Sequence, residues 1–333
     1  MPNYGVIDLG SNTIRLCVYE VKDDSKRAYV RKDFRTLLNN KVMAGLSAHV
    51  SGGVFTEAGV VHALDVLAGH AKRLRYFDCK RTDVFATAVL RNCANSADAV
   101  RAIEKASGFS ISLLSAEDEA HLGFVGATCD RPIERGTLID IGGGSTELTR
   151  IVGGADHDNA SIGQGSLSSF ASCVKGILPT QAEAEAIEEA LEKRLAGMNA
   201  DRYRCETLYG IGGSVRAAAK MHAEAYGGGV RPESLTPEDF DAIVGACMAD
   251  PDGFAHTALK AAPDRIHTLV PGCLIIRRLL TDFGAGSLVV CKKGVREGYL
   301  IERMLLDGNG AARRGAKPKG RAAAEAGTTK NGR

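Results

Sequence analysis

Residues 139–150 read IDIGGGSTELTR, and residues 6–20 read VIDLGSNTIRLCVYE. Each has an apolar run, an aspartate, glycine, a hydroxyl residue and then a second apolar run. Val, Ile, Leu and Thr favour a pleated surface, and glycine can supply φ > 0 in a tight turn. Both segments are therefore expected to form strand, turn, strand, each with an acid beside the turn. A chain that builds this unit twice invites a reading as two related domains.

The segments outward from each turn alternate in kind. Residues 56–77 are amphipathic and read as a helix, 83–90 as a strand, 96–107 as a helix opened by Ser96, and 109–115 as a strand. Ser115 with Asp118 has the outline of a capping box, starting a helix through about Gly126. In the second half, residues 180–198 read as a helix and 205–214 as a strand running into a glycine turn. Helices follow over 214–226, over 236–249 with Pro237 in its first turn, and over 271–284. A strand over 287–294 and a last helix over 294–305 close the pattern. Alternating strands and helices imply α/β layers. The expected division is one domain over 1–127 and a second over 128–307, with the boundary at the polar ATCDRPIERG of 127–136.

At 333 residues the chain can bury two ordinary cores, and 44% apolar with 25% charged residues is a globular composition. No run of about eighteen apolar residues is long enough to cross a membrane. Asp8 interrupts the first apolar stretch and no basic segment precedes it, which argues against a signal peptide. Nine cysteines occur singly, with no C-x-x-C pair, which points to a reducing cytoplasm rather than a disulfide or zinc framework. Residues 308–333 hold seven Lys/Arg and one Glu, leaving a body of net charge about −4. This tail has no aromatic or branched aliphatic residue, so it is expected to be disordered and solubilising. The acidic body offers no obvious basic channel, which favours a short polyanion or a nucleotide.

The glycine turns are the candidate sites. Around Gly10, Ser11 and Asn12, successive backbone N–H groups can form a nest for phosphate, while Asp8 could hold a metal or a water. Gly142, Gly143, Gly144 and Ser145 give up packing and conformational entropy, which suits close approach by a ligand. The flanking Asp140 and Glu147 suit a hard cation such as Mg²⁺ or Mn²⁺. Gly212, Gly213 and Ser214 end a strand and open a helix, a placement that suits an anion. Arg91 just past a strand end can clamp phosphate. Glu117, Asp118 and Glu119 open a helix, where acids also simply favour the helix dipole.

The segments IDLGSNTIRL, ATAVLRNCAN, LLSAEDEAHLGFVGA, LIDIGGGSTEL, GIGGS and VREG occur in the order and spacing of the Ppx/GppA phosphatases. The resemblance runs from about Tyr4 to Met304 and implies an α/β fold of two actin-like (ribonuclease H-like) domains with an interdomain cleft. It implies Glu119 as the base that activates water, Asp140 and Glu147 as residues of metal and water, and both glycine loops and Arg91 as phosphate contacts. Hydrolysis of a phosphoanhydride needs charge neutralisation and in-line water more than covalent work. The chain departs from the family pattern at Ala116, Asp118, Thr13 and Ser214, none of which removes a functional group. It also lacks the long C-terminal helical extension of larger members. The expected activity is Mg²⁺-dependent removal of terminal phosphate from inorganic polyphosphate. Guanosine pentaphosphate hydrolysis is the alternative, and a non-catalytic phosphate or alarmone sensor is the third reading. Retained Glu119, Asp140 and Glu147 argue against the sensor, and a water-activating Glu119 argues against a kinase. Expected partners are these polyanions, with a homodimer allowed, no membrane and no specific nucleic acid.

Overall fold

A computed structural model describes residues 1–307. The basic tail over 308–333 lies outside the described residues. The first glycine turn joins β1 (Asn3–Leu9) to β2 (Thr13–Val21), and the chain continues through β3 (Phe34–Met43). Helix α1 (Glu57–Leu74), β4 (Cys79–Ala86), α2 (Ser96–Ser107), β5 (Ile111–Leu113) and α3 (Ala116–Asp130) complete the first half. These strands form a sheet in the order β3-β2-β1-β4-β5, antiparallel through β2 and parallel from β1 to β5.

The second half repeats the plan. Strands β6 (Arg135–Ile141), β7 (Thr146–Val152) and β8 (Ala155–Ile162) lead to α4 (Ser166–Cys173), α5 (Gln181–Ala196) and β9 (Thr207–Ile211). Then come α6 (Gly212–Ala225), β10 (Ser234–Leu235), α7 (Pro237–Ala249), α8 (Pro251–Ala261), α9 (Ile266–Phe283), β11 (Ser287–Val290) and α10 (Val295–Tyr299). The second sheet is ordered β8-β7-β6-β9-β11-β10. Apart from the added edge strand β10, the two sheets share one order and one pattern of strand directions.

Strand alternation buries both faces of the first sheet. Ile7, Leu9, Ile14 and Leu16 meet Ala63 and Leu67 of α1 on one side. Tyr4, Val6, Cys17 and Tyr19 meet Leu122, Tyr299, Leu300 and Met304 on the other. The last helix therefore packs on the first sheet, although it follows the second in sequence. It continues past α10 as wider π-type turns through Leu306. It crosses α3 backbone to backbone, since a Cβ at Gly126 would run into the Gly294 carbonyl and one at Gly298 into that of Leu122.

Several elements differ from the sequence expectation. The strands β3 and β8 carry mostly exposed or half-buried residues on sheet edges, so no apolar alternation marked them. Helix α9 starts at Ile266 and contains Pro271, with burial of Leu269, Val270, Cys273 and Leu274 outweighing the hydrogen bond that proline removes. Helix α3 runs to Asp130, across residue 127. The glycines of the first two turns, Gly10 and Gly142 to Gly144, are not in the left-handed region; among the three turns only Gly212 is, at φ 87°.

Candidate active site

The two glycine turns face each other. A methyl group at Gly143 would lie 3.1 Å from the Cβ of Ser11, and one at Gly144 the same distance from its hydroxyl. A side chain at either glycine would press on the facing Ser11, the close approach expected of this run, and neither position uses positive φ. The Gly10 amide donates to the Thr13 carbonyl (3.0 Å) and the Gly142 amide to that of Ser145 (2.9 Å), closing each hairpin. The Asn12 side-chain amide is buried without a protein acceptor. The turns line a cleft of about 120 Å³ with Asp8, Glu119, Asp140, Gly212 and Gly213. Gly212 leaves room for Asp140, whose carboxylate a Cβ there would strike.

Strand register sets the charges. Asp8 lies opposite Arg15 across β1/β2, and Asp140 opposite Glu147 across β6/β7. The first hairpin thus pairs unlike charges and the second like ones, which repel. Burial pushes the Asp140 carboxyl up to about 6, against the pull of Arg216 and Arg296. Burial and then the Asp140 charge raise Glu147 to about 7. Burial and then Glu147 hold Glu119 well above the ordinary carboxylate range, against Arg91.

Helix α3 separates its three leading acids. The Ser115 hydroxyl accepts from the Asp118 amide (3.0 Å) and donates to the Asp118 carboxylate (2.8 Å), so the return bond of the capping box goes to the side chain. Asp118 also receives Arg303 at 2.6 Å on the far side. Glu119 turns to the cleft, 2.7 Å from Arg91, whose guanidinium also donates to the Leu114 carbonyl at 3.0 Å. Of Asp118 and Glu119, only Glu119 lines the cleft.

Three candidates stand behind the lining rather than on it. Glu147 is buried, receiving the hydroxyls of Ser145 (2.6 Å) and Ser161 (3.0 Å), with Arg91 at 3.9 Å. Arg91 is engaged by these carboxylates, and the Ser214 hydroxyl donates to the Ile141 carbonyl at 3.2 Å. The three acids expected at a metal do not converge either. Asp8 is ion-paired with Arg296 at 2.8 Å, and among the described residues no three His, Cys, Asp or Glu side chains form a metal-holding group. Asp140 alone of the three has no hydrogen-bonding or ion-pairing side chain among the described residues. One free carboxylate in a phosphate-sized cleft fits Mg²⁺ bound mainly by substrate oxygens and water.

The residues that sequence reading missed are cations. Arg15, Arg216 and Arg265 are half-buried in the cleft, and among the described residues none is ion-paired or hydrogen-bonded through its side chain. Burial and neighbouring arginines push Arg216 and Arg265 down to about 10. Arg15 and Arg216 sit inside the quoted motif segments or one helical turn beyond, but Arg265 had no sequence signal. The three also border a second cavity of about 700 Å³, walled by Lys41, Arg131, Lys220, Arg231 and Lys292. The body, acidic in net charge, does hold a basic channel. It was invisible because its cations come from seven separate segments.

A duplicated sheet with one glycine turn per lobe lining a cleft between them defines an actin-like (ribonuclease H-like) protein. The sequence profile of the Ppx/GppA phosphatase family matches residues 24–307, so the chain belongs to that family of phosphoanhydride hydrolases. The chain is 24% identical over 310 residues to a protein of Haemophilus influenzae named putative exopolyphosphatase, covering 89% of this chain and 90% of that one. It is 28% identical to a guanosine-5'-triphosphate,3'-diphosphate pyrophosphatase of Vibrio cholerae, over 44% of this chain and 28% of the other. An exopolyphosphatase structure from Cytophaga hutchinsonii superposes with a TM-score of 0.78 at 21% identity, covering 92% of this chain and 98% of that one. Among the described residues no helix is long and apolar enough to cross a membrane.

Proposed function

We propose that this protein is an exopolyphosphatase, hydrolysing the terminal phosphoanhydride of inorganic polyphosphate with Mg²⁺. The observation that carries this reading is the wall the two cavities share. The narrow polar cleft holding Glu119 and the wide basic cavity are both lined by Arg15, Arg216 and Arg265. Three unpaired, half-buried guanidiniums are expensive to hold without an anion. A chain whose last phosphate lies between the glycine turns would run its next phosphates past them. Guanosine pentaphosphate is the second reading, supported by the apolar patches of Ala217, Ala219 and Pro232 in the outer cavity.

Glu119 is the proposed base. Burial and Glu147 raise its pKa, which makes its carboxylate a stronger proton acceptor than an ordinary one. Arg91 keeps it oriented toward the cleft, and Glu147 holds Ser145 and with it the second glycine turn. Asp140 is the residue that would hold Mg²⁺, which when bound neutralises phosphate charge and orients the attacked phosphoryl group. The nine free cysteines fit a reducing compartment. Phosphate release measured on tripolyphosphate, long polyphosphate and guanosine pentaphosphate, with and without Mg²⁺, tests the reading. The highest kcat/KM is expected on long polyphosphate; preference for the nucleotide would reverse the order, and no release from any would favour a sensor.

A further inference from the structure

Acids are scarce in the outer cavity, and each is already matched with a cation of the same wall. Asp130 pairs with Arg31 at 3.2 Å, Glu233 with Arg131 at 3.7 Å, and Asp264 with Lys41. The first two pairs have a strongly exposed member: the Arg31 side chain is 58% accessible and that of Glu233 80%. Exposed pairs of this kind contribute little. The third pair is sheltered, at 24% for Lys41 and 30% for Asp264, and it spans the cleft. Lys41 stands on β3 of the first lobe. Asp264 stands in the 3₁₀ turn Pro263–Arg265 of the second, directly before Arg265 on the cavity floor.

The field around Lys41 is that of cations. Burial, followed by Arg265, Arg15, Lys220 and Arg216, pushes it down to about 8 even with Asp264 beside it. Asp264 thus occupies the place an anion would take on that wall. Resting on the polyphosphate reading above, we propose that Asp264 is a resident counter-ion that a long phosphate chain displaces from Lys41, making it a determinant of chain-length preference. A short chain confined to the inner cleft never meets it. A chain reaching the outer cavity pays the cost of parting the pair and of Asp264's own repulsion, then gains Lys41.

The test compares KM for tripolyphosphate and long polyphosphate in Asp264→Asn, Lys41→Met and the double variant. Asp264→Asn is expected to lower KM for the long chain on the order of threefold to tenfold, the scale of one half-sheltered charge. KM for tripolyphosphate and kcat stay within about twofold of wild type on the same scale. Lys41→Met raises KM for the long chain, and in that background Asp264→Asn gains less, because the pair no longer exists to be exchanged. A higher long-chain KM in Asp264→Asn, or equal changes for both lengths with a lower melting temperature, would make the pair a structural strut and overturn the inference. Calorimetric binding of long polyphosphate to wild type separates the two levels. If wild type neither binds nor hydrolyses it, the proposed substrate fails. If wild type does both and Asp264→Asn changes nothing, only the counter-ion inference fails.

Discussion

Replacing Asp140 by asparagine is expected to abolish activity and at the same time stabilise the fold at neutral pH. Asp140 sits at the floor of the cleft with Glu147 opposite it in the strand register. Its carboxyl is raised from 3.8 to about 6, chiefly by burial. Below pH 3.8 the group is neutral in both folded and unfolded chains, and it costs nothing. As pH rises toward 6 the unfolded chain ionises while the folded one still holds its proton, so stability falls; above 6 the loss is complete. A shift of that size corresponds to about 3 kcal/mol at about 1.4 kcal/mol per unit. Solvent reaching a half-buried group reduces this to about 1–2 kcal/mol. Urea denaturation of wild type and Asp140→Asn at pH 4 and pH 8 reads the difference directly. The variant should match wild type at pH 4 and exceed it by about 1–2 kcal/mol at pH 8. Mg²⁺ should raise the wild-type midpoint and leave the variant unmoved, since only a ligand of the native state stabilises by mass action. A gain independent of pH, or a less stable variant at pH 8, would refute the reasoning.

Other perturbations follow from the same geometry. Arg91→Met removes the cation that opposes the rise of Glu119 and Glu147. The acid limb of the pH–rate profile should move to higher pH, and an unmoved limb would count against the pairing. Gly126→Ala drives a Cβ into the Gly294 backbone, which cannot yield as a side chain can. About 1–3 kcal/mol of stability should be lost in thermal unfolding, and a neutral substitution would contradict the contact.

The duplicated hairpin was legible because its signals are local: alternating β-formers, an acid and glycines within a dozen residues. Glu119 needed the family resemblance, since three acids at a helix start look alike until Arg303 and Arg91 claim them from opposite sides. The strands β3 and β8 escaped because polar edges carry no apolar period. The guanidinium floor escaped for a different reason. Arg15 comes from the first lobe and Arg216 and Arg265 from separate elements of the second, so no spacing in one segment encodes their meeting. At Gly143 and Gly144 the close approach expected of the glycine run is made by the facing Ser11, while the positive φ expected of the turns is absent there.

The central claim is that Glu119 activates water in a cleft built to hold a phosphate chain. Glu119→Gln keeps the shape and removes the base, so phosphate release from long polyphosphate by this variant and by wild type measures the claim most directly. A fall of about 10²- to 10⁴-fold in kcat with chain binding unchanged is the expected result. Turnover within about tenfold of wild type, smaller than a positioned base contributes, would contradict it.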